Sequence, residues 1–502
     1  MKKVVIIGGG VSGLTAGIYA QKKGYETVIV EKHKIAGGQL TGWNRGGYHI
    51  DNCIHWLTGT NKNTADYKTW LETGMLEEGG IYQSDSLFTY EKNGKRLSLY
   101  HDIVRLQKEM ISLSPKDEKR INEFIFDVKT VQRLIGIGGK NHDEGLSPFS
   151  KIKRVPKLLK YVKISVGELA KNFDNEVIRG FLCSLTTQYF SSIALLVTFA
   201  TYTGLNGALA VGGSLKAAER MTENYLRLGG RLLTGAEVKR INTTKGVALS
   251  VTTEKGEEIF ADAFIVTVDP KIVFGKMLDA NMPDYLKRLY DGKKTARFSA
   301  VQCAFSCAED KLTFKGDLIF DLNKEQSANI GSKRLVLREF THERSFAPTG
   351  ETVLQSMAIL NESKSLEYIR AKNDPARYAE MKRRVSSAVK SAIIEKFPNL
   401  CDIKLLDVWT PATYKEFTGT ETGSFMSFAF TGGFIPKRAS GKIKGIKNVF
   451  LASQWLKAPG GLPIAAAEGR LSVNYLDKYF SFQHKYYKKR KKAGAFSVKN
   501  PA

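Results

Sequence analysis

The sequence is poor in cysteine: five in 502 residues, Cys53, Cys183, Cys303, Cys307 and Cys401, all scattered. No CxxC pair occurs among them, which excludes a zinc ribbon and a redox dithiol of that type. Cys303 and Cys307 fall four apart in an apolar, strand-like run, VQCAFSC, and read as core packing. Metal-ligand spacing, a Ser/His/Asp order and a P-loop are also missing, so no metal is expected. No leader is expected either. Met1 runs directly into KKVVIIGGG, with no charged region, apolar region and cleavage site in succession, and the expected compartment is the cytoplasm. Charge vanishes between Gly180 and Leu215, a stretch long enough to span a bilayer. Thr198, Thr201, Tyr202, Thr203, Asn206 and several glycines interrupt it, which makes a poor spanning helix. A helix or helix pair is expected there, as plain core or lining an apolar cavity.

Acidic residues are outnumbered. There are 76 Lys and Arg against 50 Asp and Glu, a net charge of +26. Two clusters supply much of it: KIKRVPKLLKYVK (151–163) and KYYKKRKK (485–492), each with six basic residues. Basic residues mixed with aliphatics and aromatics suit an anionic membrane surface, at about 1 kcal/mol per residue near the bilayer. Nucleic acid is a less favoured partner, and a solvated basic face with a free tail is the plain alternative. Hydrophobic content of 42% and charged content of 25% are those of an ordinary globular protein. The length favours two intertwined domains over one.

The first 31 residues read strand, turn, helix, strand: VVIIG, GGVSGLTAGIYAQKKG, YETVIVE. Gly8-Gly9-Gly10-Val11-Ser12-Gly13 matches GxGxxG. Gly8 permits the tight turn, Gly10 lets backbone approach a pyrophosphate, and Gly13 allows close helix–strand packing. Glu31 ends the next strand, placed to bond ribose hydroxyls and to disfavour a 2′-phosphate. The context, not the pattern alone, makes this a dinucleotide site. A hairpin follows at LFTYEKNGKRLSLYHD, turned by Asn93-Gly94. A helical, charged stretch covers 104–180, and parallel-sheet logic resumes near 211. The one other Gly-rich candidate, IGIGGKNH (135–142), has Asn141 where a third glycine belongs and reads as a loop.

Six residues after Glu31 the chain continues Gly37-Gly38-Gln39, then GWNRGGYHIDNCIHWL. Here it resembles the flavoprotein superfamily of amine oxidases and phytoene desaturases, in which GG is usually followed by Arg; Gln39 stands in its place. Within that superfamily, GGYHIDNCIHWL is most similar to the GF-x-FD-x-G-x-HY segment of carotenoid isomerases and retinol saturases. Gly47, Tyr48, Asp51 and His55 match; Cys53 and Trp56 depart from it. The resemblance extends through 211–241, 410–425 and NVFLASQWLKAPGGLPIAAAEGR (448–470), where Ser453 replaces a usual glycine. It implies that FAD is the cofactor and that Val238 touches adenine through its backbone. Ser12, Lys32 and Leu462 join Gly8, Gly10, Gly13, Glu31, Gly38 and Gln39 as candidate FAD contacts. Gly460-Gly461 has its own physical reading: backbone that can lie against a flat ring. Pro463 suits the first turn of a helix whose N-terminus favours an anionic reduced flavin. His55 is the candidate catalytic residue, with Tyr414 and Trp455 as candidate cavity walls.

The expected fold is α/β, a Rossmann-type FAD-binding domain (discontinuous; 1–100, 205–290, 440–480). A mixed α+β substrate domain (101–204, 291–439) is inserted in it, and a basic tail (481–502) follows. The resemblance implies desaturation, saturation or flavin-dependent isomerisation at carbon–carbon bonds of an apolar polyene or lipid. No second nucleotide domain is visible, so reduced FAD is the expected working form. Two alternatives stand beside this: an FAD-dependent amine oxidase, and a redox-silent FAD-binding membrane adaptor. A position at the inner face of the membrane would suit the basic clusters.

Overall fold

The computed structural model describes residues 1–135, 158–185, 187–434 and 436–496, with side chains as far as His484. Most of the 135–142 loop, residues 151–157 of the first basic cluster and the side chains of 485–492 lie outside that description.

The strand β1 (Lys3–Ile7) pairs in parallel with β2 (Glu26–Val30) on one side and with Ala263–Val266 on the other. Arg231–Leu233 extends the sheet beyond β2, and Val449–Leu451 extends it at the opposite edge. All five strands are parallel and buried on both faces, by helices on one and by a three-stranded antiparallel sheet (residues 238–260) on the other, and the near-continuous apolar runs VVII and AFIV are the consequence. Three separated stretches of chain build one sheet, as expected. Helix α1 (Val11–Lys22) is buried nearly all round, which explains its Gly- and Ala-rich sequence. A Cβ on Gly17 would stand 2.6 Å from the Tyr225 ring. That ring belongs to helix Gly213–Arg227, which ends near Gly229-Gly230 as read.

A seven-stranded sheet forms the second layer, in the order Lys404–Trp409, Ser299–Ala308, Glu351–Leu360, Arg334–Glu339, Asp317–Asp321, Ser86–Lys92, Lys95–Tyr100. Its second strand, Ser299–Ala308, pairs on both edges, and Cys303 and Cys307 are core. One domain boundary moves. The hairpin turns at Asn93 (φ 52°) and Gly94 (φ 75°) as read, but Ser86–Lys92 pairs in parallel with Asp317–Asp321. The hairpin therefore belongs to the inserted domain's sheet, not to the dinucleotide domain of residues 1–100.

The charge-free stretch folds as helices Glu176–Leu182 and Ser192–Thr203 and strand Gly207–Ala210. Phe199 meets Phe124 and Phe181 edge-on at 5.5 and 5.6 Å, pairs worth about 0.5–1.5 kcal/mol beyond burial. This stretch is core. Among the described residues no helix is long and apolar enough to cross a membrane. The last helix, Leu462–Phe496, runs well into the segment read as a free tail.

Candidate active site

Gly8 leaves β1 at φ 98°, a conformation that side chains rarely adopt. A Cβ on Gly13 would lie 1.9 Å from the Gly8 carbonyl oxygen, so Gly13 is required by helix–strand contact. Gly10 differs: an added Cβ would meet nothing nearer than Gly38 Cα at 3.8 Å. The first α-helical bond is Leu14 N–H to Gly10 O at 2.9 Å, which leaves the N–H groups of the first turn without helical acceptors. No side chain caps this end and no acidic residue stands in its first turn. Open space over Gly10, facing free donors and the positive end of a helix dipole, fits an anionic pyrophosphate.

Gly37-Gly38 packs beside this loop, with Gly37 N–H donating to Gly9 O at 2.8 Å. Glu31 is buried and accepts from Gly9 N–H at 2.7 Å and His33 N–H at 2.9 Å. One carboxylate thus ties the loop to β2 while keeping lone pairs for a ribose hydroxyl. At the opposite edge, Gly460 and Gly461 both have positive φ (84° and 88°). Leu462 and Pro463 open the last helix, as read. A Cβ on Gly469 would stand 2.3 Å from Ser12 O, so the first turn of α1 packs against the last helix about two turns beyond that helix's start. Near Gly460 the buried Ser427 hydroxyl has no hydrogen-bond partner. Gly460 is packed on Ser427 and Gln454, whereas a Cβ on Gly461 would meet nothing nearer than Met426 at 3.6 Å, which leaves backbone open to a flat ring. The residues present fit FAD, which when bound supplies two-electron chemistry.

Four predicted contacts are engaged elsewhere or only through backbone. The Ser12 hydroxyl donates to Ala452 O, so only its N–H faces the phosphate side. Lys32 Nζ donates to Glu416 O at 2.8 Å, and burial pushes its pKa down. Gln39 Nε2 donates to Ser424 O at 3.1 Å, where an Arg would have brought a charge. Val238 is buried at the start of a strand paired with Thr253, where its side chain packs in the core.

Residues 51–55 carry the other half of the site. Asp51 accepts from Ser214 N–H and Oγ at the start of helix Gly213–Arg227. Ser214 Oγ also accepts from Ile54 N–H at 2.9 Å. On the far side, Gln355 bonds both backbone groups of Asp51, at 3.0 and 2.7 Å. The segment is bolted between a helix N-terminus and the seven-stranded sheet. Asp51, Cys53, His55, Gln302, Arg338 and Gln355 line a small cavity there, about 10 Å³, enough for one water. His55 keeps 27% of its side chain exposed, so a ligand can reach it. Burial pushes the His55 pKa down and the Arg338 guanidinium adds to this. Burial opposes ionisation of Asp317, but Arg338 and His55 outweigh it and hold the carboxyl below its ordinary range. Cys53 is pushed up to about 12 by burial, which leaves a thiol and no nucleophile. Tyr414 is buried beside this region and accepts from Gln302 and Trp409, whereas Trp455 is buried in another core cluster against Tyr290 and Phe428.

Asp317, Arg338, Gln302 and Gln355 carry no local motif. Asp317 and Arg338 stand opposite each other on paired strands, a signal readable only once the register is known.

The fold and the two-helix cradle define an FAD-dependent oxidoreductase. The flavin containing amine oxidoreductase family matches residues 11–476, and the chain belongs to that family. It is 25% identical to 4,4'-diapolycopen-4-al dehydrogenase of Metabacillus indicus, over 94% of this chain and 96% of the relative. It is 23% identical to the chloroplastic prolycopene isomerase of Daucus carota, over 84% and 71%. An oxidoreductase from Methanosarcina mazei shares the fold, with TM-score 0.60 and 17% identity over 94% and 99% of the two chains.

Proposed function

We propose that the chain performs FAD-dependent redox chemistry at the carbon–carbon bonds of an apolar polyene, with His55 handling the proton. The observation that carries this is the junction of two motifs. A Gly-rich loop at the start of α1, fit for a dinucleotide, stands in one molecule with a rigidly braced segment that keeps one imidazole part exposed. A carbon-bound hydrogen offers no lone pair to a metal or a charged anchor, so positioning and exclusion of water do most of the work. Relatives named as a phytoene desaturase and a prolycopene isomerase support carbon–carbon chemistry on a polyene, and one named as a diapolycopenal dehydrogenase supports the substrate class.

The test is anaerobic. Oxidised protein mixed with a partly saturated polyene should bleach its flavin in proportion to new double bonds. Photoreduced protein mixed with a conjugated polyene should reoxidise if it saturates, or isomerise the substrate with its flavin still reduced. Inertness toward polyenes in both states, with turnover of amines, overturns the proposal. His55→Ala should slow the polyene reaction by ~10²-fold or more, the usual weight of a general acid or base. The basic surface extends the reading to a peripheral position on an anionic, cytoplasm-facing bilayer, which would deliver an apolar substrate.

A further inference from the structure

Arg338 makes four bonds with one guanidinium. Nε and Nη2 hold the two oxygens of Asp317 at 2.6 and 2.7 Å. Nη1 and Nη2 donate to the carbonyls of Ile54 at 2.7 Å and His55 at 2.9 Å. The same cation therefore fixes the carboxylate and the backbone that carries the imidazole. His55 Nδ1 lies 3.8 Å from Asp317 Oδ2, a gap of the kind that closes when a site fills. The charged groups facing the ring are Asp317 from one strand, Arg338 from the next and Asp51 from its own segment; Glu339 and His342 lie beyond Arg338. Asp51 spends both oxygens on Ser214 and Cys53 N–H, turned toward the helix.

We propose that Asp317, clamped by Arg338, is a positioning residue that holds His55 as the neutral Nδ1–H tautomer and so leaves its Nε2 lone pair as the proton acceptor. This rests on the reading of His55 as the proton-handling group. A carboxylate only accepts, so the ring nitrogen facing it carries the proton, and in a neutral imidazole the other nitrogen is then the base. Arg338 cancels the charge of Asp317, so the pair orients the ring without drawing a second proton onto it. In a desaturation one C–H bond loses a hydride to FAD as oxidant. The neighbouring C–H bond gives its proton to Nε2, and its electron pair becomes the double bond. The same nitrogen, once protonated, returns the proton in a saturation, so the arrangement serves either direction of the redox step.

Long-range proton–nitrogen spectra of the intact flavoprotein, with its seven histidines nitrogen-labelled, read the tautomer directly. His55 is assigned by the signal lost in His55→Gln. The neutral Nδ1–H form is expected throughout pH 6–8. Asp317→Asn leaves one oxygen for Arg338 and turns an NH₂ toward Nδ1, so His55 should shift toward the Nε2–H tautomer. Wild-type His55 found as Nε2–H or as imidazolium at pH 7 overturns the proposal, and so does an unchanged tautomer in Asp317→Asn. If that variant does not fold, the wild-type spectrum decides alone. Full activity in His55→Ala would instead defeat the functional reading while leaving the tautomer result intact.

Discussion

At the scale of single residues, Gly10 and Gly13 separate binding from folding. A Cβ at Gly13 collides with a backbone oxygen that cannot move far, whereas one at Gly10 reaches only ordinary contact distances. Gly13→Ala should therefore destabilise the fold by about 3 kcal/mol, the upper range for overpacking. Gly10→Val should leave the fold standing and strip the FAD. Flavin absorbance against thermal melting checks both, and a Gly10→Val protein with full flavin would remove the pyrophosphate from this loop. Asp317 adds a pH dependence. Its native carboxyl is held below the ordinary range, so it binds a proton less readily folded than unfolded. The stabilisation is then complete above the unfolded value, about pH 4, and fades as pH falls through the native one. Urea unfolding between pH 3 and 6 should show a shallower acid slope for Asp317→Asn than for the wild type; equal slopes would mean the pair is energetically idle. The glycines were readable in the sequence because turn and close approach are local demands. Asp317 and Arg338 were not, because what makes them partners is a strand register and what ties them to His55 is a fold.

At the scale of elements, the site depends on the close crossing of α1 and the last helix. α1 and the last helix meet where Gly469 faces Ser12 O and Thr15 Cβ. Any side chain at 469 must push the helices apart and displace the first turn of α1, which faces the pyrophosphate side. Gly469→Leu should cost ~2 kcal/mol or more and weaken FAD binding together with stability, unlike Gly10→Val. Flavin retention through gel filtration, measured beside the melting temperature, tests this; a Gly469→Leu protein of normal stability and full flavin would show that the crossing is dispensable. The βαβ start and the Pro463 helix were legible because periodicity and end signals lie within one element. The hairpin was legible as a hairpin but not as a member of its sheet. Asn93-Gly94 sets the turn, whereas the strand beside it, Asp317–Asp321, lies more than two hundred residues away. The charge-free run was ambiguous for a similar reason. Apolar helices look alike whether they line a cavity or pack on Phe124 and Phe181, and here they pack.

At the scale of the whole molecule, a charge of +26 must either be solvated or be matched by a partner. The last helix continues to Phe496, so the six basic residues of 485–492 ride on an ordered element rather than a loose tail. Exposed Phe482, 72% accessible, stands one turn before them. A sequence that combines basic residues with aromatics suits the interfacial region of an anionic bilayer, where each basic residue contributes about 1 kcal/mol. The protein should therefore sediment with vesicles containing phosphatidylserine at low salt. It should release as salt rises, because the attraction is screened over about 8 Å at physiological ionic strength. Replacing the six basic residues with Gln should abolish most of this binding without touching flavin content, since the cradle lies at the other end of the helix. Phe482→Ser should weaken it less, and most visibly at high salt, where the apolar contribution is what remains. Equal binding to neutral vesicles would assign the interaction to insertion rather than charge. Tighter binding to duplex DNA than to anionic vesicles, measured at the same salt, would transfer the charge to a nucleic-acid partner and leave the polyene to arrive by another route.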